Sequence, residues 1–257
     1  LLESLFCLTL RQGDTSRTIN NYILEENYHK WYSPNLGKEM EMMVYGHWGY
    51  PLLIFPTTRG RYYESKDFHL IDSVSWFIEQ GKVKVYCLDS IDEFSWYNRS
   101  IHPTDRVKNH NWYDKMVLEE VVAKIQHESP IGKVAVSGCS FGGYHAANFA
   151  FRHPEKVSHL FTMSAAFDIR DQLDGFYNDE VYFNNPVDYL PDMQNPELYN
   201  MKIVLGTSEH DICLGANLRM SEILKRKDID HWLDNRPNAS HDWPIWREMF
   251  PHYLSLM

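Results

Sequence analysis

The sequence predicts an α/β fold: a mostly parallel central sheet with an antiparallel edge and helices on both faces. Three observations carry this. From Leu52 onward, short apolar runs alternate with stretches of helical period, the pattern of strands joined by crossover helices. Ahead of them, two alternating segments flank a turn, as in a hairpin. Near the middle, Gly138-Cys139-Ser140-Phe141-Gly142 stands between a strand-like and a helix-like stretch.

In chain order, residues 1 to about 25 show no clear period and are expected to be peripheral. Tyr28 to Tyr32 and Glu39 to Tyr45 alternate as antiparallel strands, with Ser33-Pro34-Asn35-Leu36-Gly37 as their loop. Leu52-Leu53-Ile54-Phe55 is a continuous apolar run, as a strand covered on both faces would be. Phe68 to Gln80 reads as a helix facing inward with Phe68, Ile71, Val74 and Ile78, stopped by Gly81. Val83 to Leu88 is a strand. It opens into a long loop, Asp89 to Asn111, before a helix from Tyr113 to His127.

Lys133 to Ser137 leads into the central motif and a helix follows it. His159 to Ser164 is a further strand, and Asp168 to Asn200, rich in Asp, Asn, Pro and aromatics, is an excursion over the sheet. Met201 to Leu205 is a strand, Asn217 to Lys225 a helix, and Asp230 to Asp234 the last strand. Trp243 to Leu254 closes the chain as a helix, with Pro251 expected to bend it. No repeat or linker divides the chain, so residues 1–257 are expected to form one domain.

Composition narrows the function. The chain has 257 residues, 44% of them hydrophobic, and a formal charge of −10. Its basic residues do not cluster, which argues against a nucleic-acid partner. No apolar run reaches the ~20 residues of a membrane span. Leu1 to Leu10 carries Glu3 and has no basic flank, unlike a signal peptide. Cys7, Cys87, Cys139 and Cys213 are too irregularly spaced for a zinc site or a disulfide framework. Cys87 and Cys139 are expected to be buried, and a reducing, cytoplasmic setting fits best. A homo-oligomer is left open.

The central motif carries the chemistry. A strand turning sharply into a helix at G-x-S-x-G pushes the serine hydroxyl out above the sheet. It also aims the Phe141 amide where an oxyanion would form. Ser140 is therefore the candidate nucleophile. A serine hydroxyl needs a base, usually a histidine held by a carboxylate. Of thirteen histidines, His241 lies between the last strand and the last helix, the place for that base. His145 and His153 belong to the central helix and read as packing or surface residues. The acid should follow the strand ending at Leu205, where Gly206-Thr207-Ser208-Glu209-His210-Asp211 offers Asp211, favoured, and Glu209.

A second oxyanion donor is expected after Phe55, with the Thr58 amide best placed. Arg59, Trp96, Tyr144 and Trp243 are expected to border the substrate, together with Arg61 and Tyr97. Arg59 or Arg61 would suit a substrate carboxylate or phosphate.

The central motif, the acid loop G-T-S-E-H-D-I-C-L and the closing S-H-D-W-P-I-W resemble an esterase family of α/β-hydrolases. That family includes esterase D (S-formylglutathione hydrolase) and the enterochelin, feruloyl and acetyl-xylan esterases, with the mycolyltransferases. The similarity runs from about Asn27 to the C-terminus. It implies an α/β-hydrolase fold without a large lid and a Ser140, Asp211, His241 triad. Many members carry His-Gly after the third strand; here the stretch is Phe55-Pro56-Thr57-Thr58-Arg59-Gly60, so the oxyanion loop is built differently.

The expectation is a cofactor-independent, metal-free serine hydrolase acting on a small carboxylic ester or thioester. Acyl transfer on the same triad is the close alternative. A catalytically silent binding protein is another. A metal-dependent hydrolase using His210-Asp211 and His241-Asp242 is a weak third, since no i, i+4 histidine pair supports it.

Overall fold

The computed structural model describes residues 24–257. The expected peripheral segment and Cys7 lie almost wholly outside them. Eight strands form one sheet: β1 (Glu26–Ser33), β2 (Lys38–Tyr45), β3 (Tyr50–Phe55), β4 (Val83–Leu88), β5 (Val134–Cys139), β6 (Val157–Met163), β7 (Lys202–His210) and β8 (Trp232–Ser240). Their order is β1-β2-β4-β3-β5-β6-β7-β8. β2 pairs antiparallel with both β1 and β4, and every other pairing is parallel. The predicted hairpin is therefore the antiparallel edge.

β3 and β5 show why the sheet is covered on both sides. Leu52 and Ile54 join one core with Ala135, Leu70, Ile71, Ile78, Met249 and Phe250. Leu53 and Phe55 join the opposite core with Val136, Tyr113, Ala146, Phe149, Met220 and Leu224. Successive side chains of a strand point to opposite faces, so a fully apolar run needs helices on both. Those helices are α1 (Pro103–Met116), α2 (Phe141–Arg152) and α3 (Leu214–Arg226) on one side and α4 (Trp243–Leu254) on the other.

Four elements differ from the sequence reading. Phe68 to Gln80 is not one helix. It is two short ones, Leu70–Ser73 and Ser75–Glu79, broken at Val74. The break lets Leu70 join Ile71, Val74 and Ile78 in the core, and leaves Phe68 exposed.

The helix expected from Tyr113 begins at Pro103, with His102 Nδ1 accepting the Thr104 amide, and continues through a π-helical stretch, Val117–Val122, to Glu128. Its first turns carry no clear apolar period because Arg106 and His110 face inward beside Pro103 and Val107. Arg106 is buried because its guanidinium donates to the carbonyls of Asn98, Ile101 and Gln172 and meets Asp174.

β7 and β8 run several residues past their predicted ends, carrying Asp211 and His241 to the sheet's C-terminal edge. Asp168 to Asn200 is, as read, an excursion of short helical turns. Among the described residues, no helix is long and apolar enough to cross a membrane.

Candidate functional site

The backbone of Ser140 is bent into an unusual shape, with φ 54° and ψ −121°, between β5 and α2. Such a conformation is costly for a residue with a Cβ and persists only where the surroundings hold it. Here they do: the Ser140 amide donates to Met163 O, and its carbonyl accepts from the Gly143 and Ala166 amides. The flanking glycines permit the close approach. A Cβ on Gly138 would lie 2.2 Å from Gly142 O, and one on Gly142 would lie 2.4 Å from both Phe55 O and Pro56 O. β3, β5 and α2 thus meet backbone to backbone beneath the serine.

Ser140, Asp211 and His241 come from three separate segments and join in one hydrogen-bonded row. His241 Nε2 lies 2.9 Å from Ser140 Oγ, and His241 Nδ1 lies 2.7 Å from Asp211 Oδ1. Asp211 is buried. Burial drives its carboxyl pKa up. Hydrogen bonds from His241 and the Cys213 amide, with the Ser164 hydroxyl, outweigh this, and the net result is a value below the usual 3.8. Thr207 Oγ1 donates to its second oxygen at 3.0 Å. An ionised Asp211 can only accept, so the proton sits on Nδ1 and Nε2 is left to accept from the Ser140 hydroxyl.

Glu209, the rival acid, faces away. Its carboxylate accepts the Asn238 amide at 3.0 Å and meets solvent. Asp211, Cys213 and His241 bring three metal-ligand atoms within 4.8 Å. Asp211 and His241 are already bonded to each other, however, and burial pushes the Cys213 thiol up to about 12, which keeps it protonated at neutral pH.

Both predicted oxyanion donors are available. Among the described residues, the amides of Thr58 and Phe141 enter no hydrogen bond, whereas those of Thr57, Arg59 and Gly60 are all occupied. The Tyr97 hydroxyl lies 3.4 Å from Thr58 Oγ1.

A family model described as alpha/beta hydrolase fold matches residues 94–250. The chain belongs to the alpha/beta hydrolase family. No curated protein matches it. Many solved structures do, those named here at low sequence identity. A ferulic acid esterase superposes with a TM-score of 0.72 at 15% identity, over 91% of this chain and 97% of its own. An S-formylglutathione hydrolase from Agrobacterium tumefaciens gives 0.71 at 16%, over 91% and 94%. One from Staphylococcus aureus gives 0.69 at 16%, over 91% and 96%. At such identities the likeness speaks for the fold, and it agrees with the resemblance read from the motifs.

Within this alpha/beta hydrolase, the expected substrate-facing residues divide. Trp96 and Tyr144 are fully buried, packed with Phe141, Val107 and Ile169. Tyr144 donates its hydroxyl to Asn184 O. Neither offers surface to a ligand, so that expectation is corrected: they are apolar bulk filling the space behind α2. Arg61 is taken up by Asp89 and Glu41. Arg59 is exposed, and its guanidinium has no carboxylate partner among the described residues and lies 5.2 Å from the Tyr97 ring centre. Trp243 is half-buried and stacks flat on Phe68, with 4.6 Å between ring centres.

Sequence reasoning missed Trp246, Ser164, Glu64 and Asp92. Trp246 Nε1 donates to Ser164 Oγ at 2.8 Å, and the Ser164 hydroxyl helps to hold the Asp211 pKa down. The only signal in the sequence was the spacing of two tryptophans after His241.

Proposed function

We propose that this alpha/beta hydrolase is a serine esterase. It would cleave a carboxylic ester or thioester through an acyl-enzyme on Ser140. The observation that carries the reading is the division of one imidazole between Ser140 Oγ and a buried carboxylate, at 2.9 and 2.7 Å.

In this reading the Ser140 oxygen attacks the carbonyl carbon as His241 Nε2 takes the hydroxyl proton. The carbonyl oxygen becomes an oxyanion and meets the amides of Phe141 and Thr58. Asp211 holds the ring by Nδ1 and stabilises its charged form. As the tetrahedral centre collapses, the imidazolium returns its proton to the departing alcohol or thiol. Water then enters, gives a proton to His241 and attacks the acyl carbon; collapse frees the acid and restores the Ser140 hydroxyl. Arg59, Tyr97 and Trp243 are the side chains proposed to border the substrate.

Because ferulic acid esterases and S-formylglutathione hydrolases are among the similar structures, a panel of feruloyl esters, S-formylglutathione and short and long acyl esters is the test. Turnover with fluorophosphonate labelling, both lost in Ser140→Ala, supports the proposal. A wild-type protein that neither labels nor turns over would leave a silent binding protein as the better reading. Added alcohol acceptors in the same panel separate hydrolysis from acyl transfer.

A further inference from the structure

The loop expected to supply the second oxyanion donor has no His-Gly, so something else must shape it. Thr57 is held at both ends of its polar reach: its amide donates to Glu64 Oε2 at 2.8 Å and its hydroxyl to Glu64 Oε1 at 2.7 Å. Its carbonyl accepts the Gly60 amide. Two residues on, the Arg59 amide donates to Asp92 Oδ2 at 2.8 Å, with Arg59 in the left-handed region at φ 58°. Between these anchors, the Thr58 amide enters no hydrogen bond among the described residues.

Asp92 is itself fully buried, and its other oxygen lies 2.8 Å from Nε2 of His145. His145 belongs to α2, one turn after Phe141, and the Phe141 ring stands edge-on to it at 5.1 Å. One carboxylate therefore ties the segment carrying the Thr58 amide to the helix carrying the Phe141 amide. Room for the other anchor is built in at Gly60, where a Cβ would come within 2.7 Å of both Glu64 oxygens.

We infer that Glu64 and Asp92 are positioning residues: they hold Thr57 and Arg59 so that the Thr58 amide stays free and in register with the Phe141 amide. This rests on the esterase reading. Neither carboxylate touches substrate. Their part is to keep two donors fixed where negative charge develops, which is where fixed dipoles count most. A packing role alone would cost stability. A positioning role costs kcat while leaving substrate binding nearly intact, because the ground-state carbonyl asks less of those donors.

The test measures kcat and KM on whichever ester the wild type cleaves, with thermal midpoints alongside. Glu64→Ala and Asp92→Ala are expected to lower kcat about 100-fold, comparable to removing one oxyanion donor, with KM within about threefold. Glu64→Gln and Asp92→Asn should restore most of the loss. Each amide keeps an oxygen for the backbone N–H and offers its NH2 to Thr57 Oγ1 or His145 Nε2.

Wild-type kcat in both alanine variants overturns the inference. So do amide variants as impaired as alanine, or losses appearing in KM alone. Should the alanine variants not fold, Thr57→Val removes only the hydroxyl anchor; a several-fold loss in kcat supports the inference and wild-type kcat overturns it. Ser140 labelling in the wild type keeps the outcomes apart: with labelling and turnover present, failure of these variants overturns the anchors and not the esterase reading.

Discussion

Trp246 stands edge-on to the imidazole of His241, with 5.1 Å between ring centres and 85° between planes. The same indole donates to Ser164, whose hydroxyl helps to hold the Asp211 pKa down. One side chain of α4 thus packs on His241 through its ring and reaches Ser164 through its N–H. Trp246→Phe keeps an aromatic ring and deletes the N–H. The expected result is a kcat loss of about tenfold, short of the ~10² that a 1 Å misplacement can cost. Steady-state kinetics on the purified variant check it; an unchanged kcat would confine Trp246 to packing.

The acid can be decided by two amide substitutions. Asp211→Asn removes the charge beside Nδ1 and allows the wrong tautomer, so kcat should fall about 10⁴-fold. Glu209→Gln disturbs only an exposed bond to the Asn238 amide and should cost less than about threefold, as surface changes usually do. The reverse ranking would reassign the acid.

Gly142 is the tightest test of how the site is assembled. A Cβ there would stand 2.4 Å from two backbone carbonyls of the β3 end, which cannot yield without moving the Thr58 loop. Gly142→Ala should destabilise the fold by about 1–3 kcal/mol or more. It should also abolish turnover in whatever protein still folds. Denaturant melts and kcat on the soluble fraction measure the two effects separately.

Acid pH should reveal Asp211. Burial raises its carboxyl pKa, but its hydrogen bonds win and the folded value lies below the usual 3.8. A carboxyl lowered by folding adds stability above its unfolded pKa and loses it as pH falls through the folded one. Denaturant midpoints should therefore drop as pH goes from about 5 to about 2, and Asp211→Asn should flatten part of that slope. Equal slopes in both proteins would contradict the assignment.

The sequence by itself determined the sheet and the turn at its centre. A continuous apolar run such as Leu52 to Phe55 reads as a strand covered on both faces. The glycines around Ser140 admit the one turn where three backbones touch. Asp211 and His241 are placed by chain order after the last two strands, although both strands run further than the apolar pattern shows.

Tertiary structure decided the rest, because it depended on partners far away in the chain. The start of α1 was hidden since Arg106 points inward to carbonyls supplied by residues 98, 101 and 172. Trp96 and Tyr144 looked like pocket walls, yet nothing local distinguishes an aromatic ring lining a cleft from one filling the space behind α2. Glu64 and Asp92 carry no signal in the sequence, and folding brings their oxygens onto the amides of Thr57 and Arg59. A carboxylate's role is set by which donors surround it, and those donors are gathered only by the fold.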